Sequence, residues 1–335
     1  MIRLALVGCG PWAQDYACVA SRLMGAVVAV AVDSDARRAA WAARLLNAAP
    51  LVVGSPECLA SHAAEFDAII LHVPLADHSQ YIHGAAAAGK HVLVAPPLTL
   101  SVSDACSLHQ CSQQAGVRLM VASADRFLPS LTTLKSSLDK GQLGQLGLMR
   151  LHRWETVGPD QRDSATDASH GESAACLARD ITLCHWLFGQ MPTQVLAHGR
   201  GGPGAALPFH YLQLHLGFAA GGMAMLDYTR DLPRGSGYFS LSVIGSSGAA
   251  YADDQHNHQL MFTGGRATSV PTEQGLLGQL GRLQEFVRAI EQQRDPAGGS
   301  GEACQVMTII EVAQQSIASG TVCQRREGDG VYVPT

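Results

Sequence analysis

The chain has 335 residues, 47% of them apolar and 15% charged. At roughly 150 residues per domain this is material for about two globular domains, and it excludes a disordered or solvating chain. The net charge of -5, with no basic block, leaves no electrostatic footprint for a nucleic-acid backbone or an anionic membrane, so neither is expected as a partner.

The chain opens on an apolar run, 2–7, that passes into a glycine turn without the features of a secretory leader. A second run follows at 27–32, and between them Ala13, Ala17, Ala20 and Met24 fall at helical spacing. Further continuous apolar strands are expected at 66–73, 91–94 and 117–122, with helices near 35–47, 77–89 and 102–115. Strands apolar on both faces and alternating with helices predict a doubly wound parallel sheet, a Rossmann domain over 1–122.

After a helix at 129–140 the pattern changes. Period-two stretches at 146–154, 193–199, 209–218, 222–229 and 238–244, joined by glycine-rich turns, predict a mostly antiparallel open sheet with one helix at 173–188. Stripes through Leu276, Leu280, Leu283, Val287 and Ile290, and through Val306, Ile309, Ala313 and Ile317, predict two closing helices. Residues 123–335 are thus an α+β domain for substrate and oligomerisation, whose last helices can pack back on the first domain. The tail after Arg325 is expected to be loosely held. The longest stretch without Asp, Glu, Lys or Arg, 201–226, is broken by Gly, Pro and His and does not read as a membrane span. The nine cysteines, with no Cys-x-x-Cys, fit reduced thiols and a cytoplasmic location.

Gly8-Cys9-Gly10-Pro11-Trp12-Ala13 fits G-x-G-x-x-A between the first strand and the first helix. The first glycine allows the tight turn, the second lets backbone N–H groups reach a diphosphate, and the small last residue lets the helix pack on the strand. Asp33, followed by Ser34, ends the second strand about 20 residues later, where a carboxylate can accept both ribose hydroxyls of an adenosine. The same charge repels a 2′-phosphate, so NAD is the expected cofactor. NADP stays open because Arg37 and Arg38 start the next helix and can turn toward a phosphate.

Several segments carry a family resemblance. Val73-Pro74-Leu75-Ala76-Asp77-His78, Ala88-Gly89-Lys90-His91-Val92-Leu93-Val94 before Ala95-Pro96-Pro97, Asp125-Arg126-Phe127-Leu128-Pro129 and the helical segments 283–290 and 310–320 together resemble the glucose-fructose oxidoreductase / inositol dehydrogenase / MocA (Gfo/Idh/MocA) family. That resemblance implies an NAD(P)-dependent oxidoreductase acting on a sugar-like molecule. It adds Val73, Pro74, His78, Ala95 and Pro96 to the cofactor wall and Arg126, Trp154, Arg179 and Asp180 to a substrate cleft. It also implies a cis bond at the proline loop, inexpensive before a proline.

The sequence departs from the family at its catalytic positions. Ala95-Pro96-Pro97 stands for Glu-Lys-Pro, and alignment through Trp186-Leu187-Phe188-Gly189 puts Ala175 and Arg179 where the family has its Asp and His. None of the three lysines, Lys90, Lys135 and Lys140, is placed to substitute. The catalytic group is therefore unassigned, with Asp180, His170 and Arg179 as candidates and Glu172 and Tyr228 as other acids within reach. Arginine is a poor base but a good clamp for an anion, so a ligand in the cleft is expected to be acidic or to carry a carbonyl rather than to be a neutral sugar. Asp253-Asp254-Gln255-His256-Asn257-His258 matches no metal spacing and reads as a solvated loop, so no metal is expected. Two functions stay open: an oxidoreductase with a nonstandard proton relay, or an inactive relative that senses a dinucleotide or ligand. A homodimer or larger homo-oligomer through the second sheet is expected in either case.

Overall fold

The computed structural model describes residues 1–52, 59–156, 167–201, 209–232, 236–253, 258–263, 267–271, 275–328 and 330–335. They form two compact units, Met1–Leu128 with Gly275–Cys304, and Pro129–Gln274 with Gln305–Thr335. The expected boundary at 122/123 lies inside the first unit. The turn Asp125–Phe127 is packed against the helix Gly275–Glu291 so closely that a Cβ on Gly278 would stand 2.7 Å from the Ala124 carbonyl oxygen.

The first unit holds six parallel strands, β1 (Ile2–Val7), β2 (Ala26–Asp33), β3 (Ala49–Val52), β4 (Ala68–Leu71), β5 (His91–Val94) and β6 (Leu119–Val121), in the order β3-β2-β1-β4-β5-β6. Helices α1 (Ala13–Ala20), α2 (Ala36–Leu46), α3 (His78–Ala87) and α4 (Val102–Gln114) form its crossovers, and the later helix α7 (Gly275–Glu291) packs on α1. Leu4, Leu6, Ile70, Leu93, Met120 and Phe286 meet in one core, as strands covered on both faces require. Strand β3 was not expected. It is a four-residue edge strand containing Pro50, a residue the middle of a sheet excludes.

The second unit carries α5 (Pro129–Asp139), α6 (Asp167–Phe188) and most of α8 (Ser300–Ser319). Its strands are β7 (Leu146–Thr156), β8 (Gln194–Gly201), β9 (Phe209–Gly217), β10 (Met223–Leu232), β11 (Tyr238–Gly245), β12 (Gly248–Asp253), β13 (His258–Thr263), β14 (Ala267–Pro271), β15 (Cys323–Arg325) and β16 (Tyr332–Pro334). They form one sheet, β14-β13-β12-β11-β7-β10-β9-β8-β15-β16, antiparallel except where β7 and β10 run parallel. This is the α/β architecture expected. Two details correct the reading: β12 to β14 extend the sheet beyond the predicted strands, and the tail is not loose, because β16 pairs with β15 and the Tyr332 hydroxyl donates to the Pro192 carbonyl at 2.6 Å.

Candidate functional site

In the first unit, the parallel strands deliver the predicted cofactor residues to one edge of the sheet. The strand order reverses between β1 and β4, so the turns leaving these strands open a crevice. Gly8, with φ of +91°, ends β1, and a side chain there would collide with the His72 carbonyl oxygen at the end of β4. At Gly10 a Cβ would meet no atom within 4 Å, so the backbone lies open to a ligand. The N–H groups of Gly10 and Trp12 have no acceptor among the described residues. Pro11 lacks an N–H, and Ala13 is fully buried where the helix meets the sheet. These are backbone donors at a helix start with open space above them, the arrangement a diphosphate needs.

Asp33 is buried, and both its oxygens are engaged. Oδ2 accepts the Cys9 N–H at 2.8 Å; Oδ1 accepts the Asp35 N–H at 2.8 Å and the Arg38 guanidinium at 2.8 and 3.1 Å. Burial pushes its pKa up, but the Asp35 and Cys9 N–H groups and Arg38 outweigh burial and hold the carboxyl below its usual range. Arg38 is thus committed to Asp33, while the backbone N–H of Arg37 is capped by Asp35. Ser34 is exposed beside them. Cys9 is buried; its thiol donates to the Val32 carbonyl at 3.4 Å, and burial together with the Asp33 charge pushes its pKa up to about 12.

Val73 and Pro74 leave β4 next to the glycine turn. His78 points inward instead, its Nδ1 3.1 Å from the Leu98 carbonyl oxygen, and so ties the start of α3 to the loop after Ala95 and Pro96. The Pro96–Pro97 bond in that loop is cis. Lys90 lies at the opposite end of β5 and donates to the Phe66 carbonyl. Arg126 is clamped by Glu302 at 2.6 and 2.7 Å, so the guanidinium expected to meet substrate already faces a carboxylate.

In the second unit, strand alternation separates residues expected together. Arg153 and Glu155 of β7 face α6, whereas Trp154 points to the other face of the sheet, donating to Asp227 at 3.3 Å with the Tyr238 ring 5.1 Å away. Trp154 therefore does not accompany Arg179. Asp180, 3% exposed, is held by the Arg153 Nε at 2.7 Å. Arg179 donates to Glu155 at 2.7 Å, and the Cys176 thiol donates to the same carboxylate at 2.9 Å. Burial raises the Glu155 pKa, but Arg179, Cys176 and Arg153 outweigh it and hold the carboxyl low. Tyr228 is buried on the helix-covered face. His170 and Glu172 belong to α6, but their side chains lie outside the described residues, as does 254–257 of the polar loop. Among the described residues no group of three or more His, Cys, Asp or Glu is placed to hold a metal, and no helix is long and apolar enough to cross a membrane.

Sequence reasoning missed the ion-pair partners Arg153, Glu155 and Glu302, and a buried set formed by Tyr16, His72, Gln279 and Arg282. The one signal for that set was a histidine at the carboxyl end of a strand expected to carry a cofactor.

Residues 2–123 match the model of the oxidoreductase family with an NAD-binding Rossmann fold, and 131–251 match the Gfo/Idh/MocA C-terminal domain. The chain belongs to the Gfo/Idh/MocA family. It is 23% identical over 339 residues to inositol 2-dehydrogenase of Rhizobium meliloti, covering 95% of this chain and 97% of that one. Levoglucosan dehydrogenase in complex with NADH and levoglucosan superposes with a TM-score of 0.82 at 17% identity, covering 100% of each chain. An oxidoreductase from Agrobacterium radiobacter in complex with NAD+, L-tartaric acid and magnesium gives 0.82 at 17% identity, covering 96% and 98%. The protein is thus an NAD-binding chain of an oxidoreductase family.

Proposed function

We propose that the protein transfers hydride between NAD and a small sugar-like or acidic molecule, with the proton moved by a group other than the family's Lys, His and Asp. The observation that carries this reading is the crevice between β1 and β4, where orphaned backbone donors, the open space over Gly10 and the charged Asp33 form a complete dinucleotide cradle. The diphosphate would lie over Gly10, Pro11 and Trp12 and the adenosine ribose by Asp33 and Ser34, with Val73, Pro74, Ala95 and Pro96 along the remaining wall. His78 would act by holding that wall in place. NADP is the weaker fit because Arg38 is occupied by Asp33.

When bound, NAD supplies the hydride acceptor or donor; the chain must supply the proton path. Pro96 and Ala175 cannot carry a proton, and Arg179 is too basic to give one up. Asp180 is committed to Arg153, which leaves His170 as the better of the named candidates. Arg179 suits an anion, and the relatives support both ligand classes, a sugar and tartrate. The same three replacements favour a second reading, an inactive family member that binds a dinucleotide as a sensor or partner. Exposed Trp154, Tyr211, Met223, Ile244 and Tyr251 on the second unit's sheet support a homo-oligomer through that sheet.

The test is a panel of neutral sugars, inositols and sugar acids with NAD, read by nicotinamide absorbance, beside a separate NADH-binding titration. Turnover of an acidic compound, with none in the usual range of roughly 1–10³ s⁻¹ on neutral sugars, is the expected result. NADH binding without turnover on any compound would select the second reading. Fast turnover of a neutral sugar would show that the ordinary relay has an unrecognised replacement.

A further inference from the structure

The wall of the crevice formed by the end of β4 contains a polar chain that the glycine motif does not require. Tyr16, on α1 and 1% exposed, has its hydroxyl 2.5 Å from His72 Nε2. The Arg282 guanidinium donates to the same hydroxyl at 2.6 Å, and burial raises the Tyr16 pKa against the pull of Arg282, so the phenol stays protonated. Arginine has no acceptor, so the guanidinium can only donate to the Tyr16 oxygen, and His72 is the one acceptor for the hydroxyl hydrogen among the described residues. Nε2 is then the acceptor, and the ring proton sits on Nδ1. That Nδ1 has no protein partner among the described residues and is not sealed from solvent. Burial, Arg282 and His78 together depress the His72 pKa to about 3, so the ring stays uncharged at neutral pH.

Arg282 gives the chain its direction. It is 5% exposed, has no carboxylate partner among the described residues, and donates otherwise to the Ala122 carbonyl at 3.1 Å. A buried cation without a counter-charge favours an anion nearby. Trp12, the last residue of the turn before α1, lies stacked on His72 with ring centroids 5.8 Å apart and planes 15° apart, and is 58% exposed.

We propose that His72, locked by Tyr16 with its proton on Nδ1 and backed by Arg282, is a hydrogen-bond donor to the diphosphate of the bound dinucleotide, and that Trp12 stacked on it fixes the ring in that pose. This rests on NAD occupying the glycine turn. His72 is a binding residue, while Tyr16 and Arg282 act through it as positioning residues.

The experiment is a titration of the full chain with NADH and separately with ADP, which has the diphosphate but no nicotinamide, followed by indole fluorescence. His72→Phe keeps a ring against Trp12 and removes the donor; it is expected to weaken both ligands about tenfold. Tyr16→Phe frees the tautomer and should weaken both by roughly threefold. Unchanged binding in His72→Phe, or a loss confined to NADH, overturns the proposal. A wild-type chain that binds neither ligand overturns NAD occupancy itself, which is a distinguishable result. Should either variant fold poorly, ¹⁵N spectra of the histidine-labelled wild-type chain decide: a His72 proton on Nδ1 supports the chain of donors, and a proton on Nε2 overturns it.

Discussion

Asp33 holds the glycine turn through Cys9 and the start of α2 through Asp35 and Arg38, and the ribose contact proposed above would give the same carboxylate a second job. Asp33→Asn keeps the shape but loses the charge. It should weaken NAD about tenfold, the scale of a hydrogen bond to a charged group, and release Arg38, so the preference for NAD over NADP should narrow in parallel titrations. A variant with unchanged NAD affinity would show that the carboxylate is purely structural. The places of Gly8 and Asp33 at the ends of β1 and β2 were legible in the sequence because a local turn and a fixed spacing set them. Trp154 was misplaced because a one-residue step on a strand changes faces, and the sequence alone did not say which face α6 covers. The partners of Arg126, Arg179 and Asp180 were not legible because an ion pair across 24 to 176 residues leaves no periodic mark.

Among the elements, α8 shows why a signature segment has the residues it has. Ser316 is fully buried; its Oγ accepts the Ala197 N–H at 3.0 Å and donates to the Thr321 carbonyl at 2.6 Å. Strand β15 pairs with β8 only at Gln194 and Val195, so Ala197 lies past the end of its neighbour and the serine supplies the missing acceptor. Ser316→Ala should lower stability by about 1–3 kcal/mol in a denaturant melt; a loss well under 1 kcal/mol would mean that water replaces it. Phe286 of α7 has no exposed surface in the first unit's core, and Phe286→Ala should cost about 3–5 kcal/mol in the same measurement. The long apolar strands and closing helices were readable from periodicity. Strands β12 to β16 were not: 248–253 is rich in alanine and glycine, which carry little strand propensity, and three-residue strands such as β15 exist only because a neighbour pairs with them.

For the molecule as a whole, acid should act in two stages. The histidines His72, His78 and His91 are all held below their usual pKa, chiefly by burial. A base depressed by folding contributes stability above its unfolded pKa, about 6.5, and that contribution is lost as pH falls below it. Asp33, Glu155 and Glu285 are carboxyls held low in the fold, against burial, by their hydrogen-bond and ion-pair partners. Their contribution persists above an unfolded pKa of about 4 and disappears as pH drops through their folded values. Melting temperature should therefore be level from pH 7 to 8, decline gently below about 6.5 and fall steeply below about 4. His72→Phe should reduce the gentle part; an unaltered slope between pH 6.5 and 4 would mean that His72 is not the buried base described.

Cys9 occupies the most intimate position in the cofactor turn, yet its burial and its raised pKa keep it a thiol rather than a thiolate. Only the thiolate attacks electrophiles and oxidants at a useful rate, so the turn is chemically quiet although it contains sulfur. Among the described cysteines Cys18 and Cys106 are exposed and should react with iodoacetamide before Cys9, with NADH binding intact after they have reacted. The protein can therefore be tagged at its surface thiols with fluorophores or cross-linkers while its dinucleotide turn remains unmodified, and mass spectrometry finding early carbamidomethylation of Cys9 would show that this protection fails.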